Sequence, residues 1–230
     1  MINLPDYWMQ RPPMELDGLE RSAFDELFAR ARSSGAERPI DYNLPYPKWQ
    51  FLCYLADRHA IVLHGTGDAD IRVFEPRKSM DLNEFGNRMA VYAAGDGLWA
   101  MYFAIIDRKR FPMTLTNACV RLADAEGNIS EPRYVFSISR TALRHQPWRA
   151  GVVYLLPAET FEVQPPLPFG EYQVLVPQYA SLVQVTPIAR LEITPEDFPF
   201  LGSIRGHDDE RLAQYAHAMQ TGGPWPDSGE

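Results

Sequence analysis

The chain has 230 residues, 46% of them hydrophobic and 23% charged, the proportions of an ordinary globular protein. A chain of this length buries enough surface to need no disulfide or metal staple. Its 22 Lys and Arg against 30 Asp and Glu leave a formal charge of -8, which excludes a general nucleic-acid binder dependent on a basic field.

No apolar run reaches the ~18 residues of a membrane span. The opening MINLPDYWMQRPP carries neither a basic nor an apolar leader segment, so a cytoplasmic protein without membrane contact is expected. The arm to about Pro13 has no period and reads as irregular. Beyond it Leu16, Leu19, Ala23, Phe24, Leu27, Phe28 and Ala31 recur at three- and four-residue spacing, which predicts an amphipathic helix. Gly35 stops it. Pro39, Pro45 and Pro47 make 38–47 a loop, and Pro47 opens a second helix through KWQFLCYLAD.

Ala60-Ile61-Val62-Leu63 is a short buried-type strand that ends in His64-Gly65-Thr66-Gly67, and a charged loop from Asp68 to Asn87 follows. Met89-Ala90-Val91-Tyr92 is the next strand, and Asp96 is a good N-cap for a helix through Leu98–Ile106. From there the pattern turns to β: 114–122 and 133–139 around a turn at 125–128, then 151–156, 172–176, 182–185 and 190–193. A last helix is predicted over 208–219, before a frayed tail. The fold class is α+β: a split β-sandwich of short strands with an N-terminal helical segment. It is organised as one unit, with a helical portion 1–58, a β-rich core 60–195 and a C-terminal helix and tail 196–230.

Proline is abundant, 20 of 230 residues against a usual ~5%, and punctuates short strands and rigid loops. Cys53 and Cys119 each lie in an apolar stretch without CxxC spacing, and read as buried thiols with no zinc role. His59, His145, His207 and His217 stand alone and read as surface or solvated side chains. No metal is expected.

His64 differs, because it directly follows a buried-type strand, where ligands commonly meet a sheet. Gly65 and Gly67 beside it would let a ligand approach the backbone. Downstream come Val91-Tyr92-Ala93-Ala94 and a helix reading Gly97-Leu98-Trp99-Ala100-Met101-Tyr102-Phe103. This succession resembles the ADP-ribosyltransferase fold in its histidine–tyrosine–glutamate branch, that of the poly-ADP-ribose polymerases and diphtheria-type toxins. The likeness covers 61–106 well and the region to 193 in outline.

The resemblance implies NAD as cofactor. His64 would hydrogen-bond the nicotinamide ribose, Gly65 would meet the carboxamide through its backbone, and Thr66 would lie beside them. Tyr92 would wall the nicotinamide pocket, with Tyr102 or Phe103 on the other face of the ring. The family's catalytic glutamate has two candidate positions, Glu171 at the start of one strand and Gln178 at another, with Glu159 a weaker third. Gln178 would keep a hydrogen bond and lose the charge, leaving NAD-like binding with weak or absent transfer. Arg72 or Arg77 would meet the pyrophosphate. The acceptor is left open, and the rival reading is a non-catalytic binding or structural domain.

Overall fold

The computed structural model describes residues 4–79 and 84–226. The first half runs β1 (Met9–Gln10), α1 (Gly18–Ser34), α2 (Lys48–Arg58), β2 (Ile61–Thr66), β3 (Arg77–Lys78), β4 (Met89–Ala94) and α3 (Gly97–Ile105). The middle holds β5 (Leu115–Ala123), β6 (Arg133–Ser139), α4 (Arg140–Leu143), β7 (Gly151–Pro157), β8 (Phe161–Val163) and β9 (Leu167–Phe169). Then come β10 (Tyr172–Leu175), β11 (Gln178–Ser181), β12 (Ala189–Ile193), β13 (Arg205–His207) and α5 (Leu212–Thr221).

One sheet has the order β12–β7–β2–β4–β11–β8 with β3 beside β4, and the other β1–β6–β5–β10–β9 with β13 beside β6. All pairings are antiparallel except β13 with β6. The α+β class expected from the sequence is the class observed.

Asp17 starts α1. Its Oδ1 accepts the N–H of Leu19 and Glu20 while Glu20 Oε2 accepts the Asp17 N–H, a capping box. Phe24, Leu27, Phe28 and Ala31 face the core. Leu19, expected on that stripe, is 78% exposed, because its place in the first turn lies round the helix from Phe24–Ala31.

Helix α3, GLWAMYFAI, is apolar on every side, a composition that calls for burial all round. It lies against β2 and β7. On its other side Tyr102 stacks on Phe136 of β6, centroids 4.7 Å apart, and Trp99 Nε1 donates to Asn117 of β5 at 2.7 Å. The helix therefore joins the two sheets. Two glycines let it close on the first one: a Cβ on Gly65 would lie 1.7 Å from the Ala100 carbonyl oxygen, and one on Gly151 2.0 Å from that of Ala104. This corrects the expectation that Gly65 and Gly67 are small to admit a ligand. The space beside Gly65 is taken by α3, and that beside Gly67 by the Arg149 guanidinium.

The start of α3 is held by Asp96, 2% exposed. Its Oδ1 accepts the Trp99 N–H, while its Oδ2 takes Arg11 Nη2 at 2.6 Å and the Tyr134 hydroxyl at 2.8 Å. Arg11 also pairs with Asp57 at the end of α2, at 2.8 Å. The N-terminal arm, expected to be irregular, is thus ordered by β1 and by this ion pair. Cys53 and Cys119 are buried here and unbridged. Burial pushes the Cys53 thiol up to about 12 and raises Cys119 as well, so both are inert thiols near neutral pH.

Three further expectations are corrected. The strand proposed at 182–185 is Gln178–Ser181 instead, paired to β4 and β8; at Ser181 the chain turns, its Oγ donating to the Val183 carbonyl, and Leu182 and Val183 are exposed. His207 is buried, with Nε2 at 2.7 Å from Thr114 Oγ1 and Nδ1 at 2.8 Å from Ser137 Oγ; the parallel pairing of β13 with β6 brings it inside. The tail is packed as far as Trp225, which lies against Tyr7 and Tyr215; its last residues, 227–230, are outside the described residues. No helix among the described residues is long and apolar enough to cross a membrane.

Asp96→Ala removes a cap and leaves the buried Arg11 with the exposed Asp57 as its one carboxylate partner among the described residues, a change that costs about 3 kcal/mol. Urea denaturation should show a midpoint lowered accordingly. A loss under about 1 kcal/mol, the value of an exposed pair, would contradict this account of the helix start.

Candidate functional site

Strand β2 is fully paired to β7, from Ile61 to Thr66, yet meets β4 in one pair, Leu63 with Ala94. Past that pair the two strands part, and His64 bridges the gap: its Nδ1 lies 2.7 Å from the Tyr92 carbonyl oxygen. A carbonyl only accepts, so Nδ1 carries the proton and Nε2 holds the lone pair. The ring is half-buried and rests on Phe74, centroids 4.7 Å apart. Burial lowers the His64 pKa, the Arg77 charge lowers it further, and the bond to Tyr92 opposes them. The imidazole is neutral at pH 7, a fixed acceptor at the mouth of the gap.

Alternation along β2 sends the peptide groups of Val62, His64 and Thr66 toward β7, in step with the Ala158 N–H to Ala60 carbonyl bond. Those of Leu63 and Gly65 face β4. Gly65 therefore turns its N–H and C=O to the side where the β2–β4 ladder has ended, a donor and an acceptor side by side. Thr66 is half-buried, and its Oγ1 accepts the Asp68 N–H at 3.2 Å.

Tyr92 is half-buried. Its hydroxyl accepts the Arg88 N–H at 2.7 Å and can donate to the carbonyl of Phe85 or Arg88. This fixes the ring against the turn at 85–88. Phe103 of α3 is half-buried and packs on Trp99 and Tyr102. Tyr102 is fully buried, with its hydroxyl donating to the Ser137 carbonyl at 2.8 Å. It has no face to offer a ligand, and of the two aromatics expected opposite Tyr92 only Phe103 is partly exposed.

Gln178 pairs with Ala94, and Ala180 with Tyr92. Val91, Ala93 and Tyr179 belong to the smaller core cluster on one face of the sheet, so Tyr92, Ala94, Gln178 and Ala180 face the other. Glu171 is exposed in the turn between β9 and β10, in the other sheet. Of the two candidate third positions, Gln178 shares a sheet with His64 and Tyr92 and Glu171 does not. Glu159 is exposed in the turn after β7.

The loop after β2 covers the opposite face, on which the His64 ring packs against Phe74. The His64 ring and the Tyr92 ring therefore stand on opposite faces of the sheet, and only the Nδ1–carbonyl bond joins them across the gap. Phe74 pairs with Val185, and Ile71 packs beneath it while donating its N–H to the Tyr154 hydroxyl at 3.0 Å. Arg77 is exposed and close enough for its charge to act on His64; Arg72 is exposed without a hydrogen bond or ion pair among the described residues. Part of this expected loop, 80–83, lies outside the described residues.

Two neighbours of the site escaped the sequence reading. Gln164, 4% exposed, donates its N–H to the Gln178 carbonyl at 2.8 Å and so stands beside Gln178, yet its side-chain Oε1 has no partner. Arg88 lies over Phe85 at 4.2 Å and spends Nη1 on Glu162 at 3.3 Å. Its Nε and Nη2, the two donors of one guanidinium edge, are buried and unpaired. Unsatisfied buried polar groups are uncommon and concentrate where a ligand or water completes them. Nothing in the local sequence marks either residue: Gln164 extends a strand that the prolines at 165 and 166 conceal.

The chain matches no protein-family model, no curated protein and no solved structure. The site therefore rests on its own geometry. Among the described residues no group of three or more His, Cys, Asp or Glu is placed to hold a metal ion.

Because the folded protein favours neutral His64, the imidazole stabilises the fold above its ordinary value of 6.5 and that contribution is lost as pH falls below it. The urea midpoint of the wild type should therefore fall more between pH 7.5 and 5.5 than that of His64→Gln. Parallel pH profiles for the two proteins would contradict the neutral, carbonyl-bound imidazole.

Proposed function

We propose that the gap between β2 and β4 is a pocket for NAD or a related nicotinamide nucleotide, used in the manner of the ADP-ribosyltransferases. The observation that carries this is the end of the β2–β4 ladder at Leu63, with His64 Nδ1 on the Tyr92 carbonyl and the Gly65 peptide facing the gap. A primary carboxamide is complementary to that peptide, since it offers one donor to the C=O and one acceptor to the N–H. His64 Nε2 is a ready acceptor for a ribose hydroxyl. A flat pyridinium reaching through the gap to the face of Tyr92 would meet that ring, which attracts a cation by about 0.5–2 kcal/mol.

The third position favours binding over rapid chemistry. Cleaving the bond between nicotinamide and ribose builds positive charge on the sugar carbon, and a fixed carboxylate would stabilise it. Gln178 supplies a dipole without charge. The proposal is therefore an NAD-binding protein of the transferase type whose transfer is weak or absent.

Thermal unfolding with NAD and with nicotinamide tests it. At about 100 times its dissociation constant a ligand adds roughly 2.7 kcal/mol, a rise of about 5–10 °C in Tm for a chain of this size. The rise is expected in the wild type and absent in His64→Ala. No rise with either ligand at millimolar concentration, or an equal rise in the variant, would overturn the proposal. In Gln178→Glu, nicotinamide release from NAD should increase about tenfold or more, the effect of 1.4 kcal/mol on the barrier.

A further inference from the structure

At the far end of β2 from the helical segment lies a wide-open surface cavity of about 570 Å³ lined by Arg108, Lys109, Pro112, Met113 and Arg149, the first three of them exposed. Three of these five residues are cations and none is an acid. In a chain of net charge -8 such a cluster invites pairing with carboxylates, yet Arg108, Lys109 and Arg149 form no ion pair among the described residues. The nearest acid in sequence, Asp107, turns its Oδ1 to the Arg110 N–H at 3.0 Å.

The arrangement is built rather than loose. Arg149 donates its own N–H to the Ile105 carbonyl at 2.9 Å, at the end of α3. Its guanidinium lies on Gly67, where an added Cβ would come within 1.7 Å of Cζ, and its Nε is buried without a partner. The loop that carries Arg108 and Lys109 is tied to the same segment by the Asp107 N–H to the Pro147 carbonyl, at 2.8 Å, and by the Ile106–Trp148 bridge. Cations gathered on one surface repel one another, and an anion bound among them would relieve that repulsion.

We propose that this cavity binds the phosphate groups of a phosphorylated small molecule, at a site separate from the His64 gap. A phosphate brings about two negative charges and several acceptor oxygens to a guanidinium and an ammonium. The cavity is open to solvent and has room for a phosphate group, and Pro112 and Met113 give the rest of the ligand an apolar edge. The acidic remainder of the protein repels a polyanion running beyond the cavity, which argues for a small ligand over a nucleic-acid strand.

Inorganic pyrophosphate, titrated at ionic strength held constant with potassium chloride, is the probe, and the Tm the readout. The wild type should show a saturable rise, and His64→Ala the same rise, which keeps this site distinct from the nicotinamide proposal. Arg149→Gln and the exposed Lys109→Gln should each weaken binding by about tenfold. Lys109→Gln leaves no buried group unpaired and so separates lost binding from a damaged fold. The inference is overturned by no rise at matched ionic strength, by unchanged binding in both glutamine variants, or by a single-stranded oligonucleotide that binds where pyrophosphate does not.

Discussion

The fold turns on one buried carboxylate. Asp96 caps α3 and in the same stroke holds Arg11 of the N-terminal arm and Tyr134 of the second sheet. A charge with 2% exposure is tolerable only when its oxygens are paired and hydrogen-bonded, and here each oxygen has a partner. The helix it starts has no polar face and must be enclosed, so it lies between the two sheets. Its carbonyls come so close to β2 and β7 that Gly65 and Gly151 cannot carry side chains. Arm, helix and both sheets are thereby referred to a single point.

That seating also sets up the gap at His64. With β2 pressed on α3 and paired along its length to β7, β4 can diverge on the Tyr92 side of Ala94 without loosening the sheet. The imidazole then takes a carbonyl that a ladder partner would otherwise satisfy. A backbone edge left unpaired inside a sheet is costly; the Arg88 and Gln164 atoms without partners lie farther off, before the start of β4 and after the end of β8. The ligand proposed for the gap would complete the hydrogen bonding of that edge.

The helices were legible in the sequence because their periodicity is strong: the Phe24–Ala31 stripe, and α3 marked by its Asp96 cap. The His64 strand and the Tyr92 strand were legible for similar reasons, as short apolar runs with clear ends. What stayed hidden depends on pairings between distant segments. The apolar run Leu182–Val185 resembles a strand better than Gln178–Ser181 does, but the latter has β4 and β8 to bond. His207 reads as a solitary surface histidine until β13 is laid along β6. Tyr102 and Phe103 are neighbours with similar rings, and only the position of the second sheet decides that one is core and the other half open. The choice between Glu171 and Gln178 is likewise a matter of which sheet each joins.

The most direct measurement is a nuclear magnetic resonance titration of the isotope-labelled protein with nicotinamide, following backbone amides and the His64 ring nitrogens. In the free protein Nδ1 should be the protonated nitrogen and Nε2 the bare one. On addition of nicotinamide, the Gly65, Thr66, Tyr92 and Phe103 amides should shift together with a common saturation curve. An Nε2-protonated ring in the free protein, or shifts that leave Gly65 and Tyr92 untouched, would contradict the account.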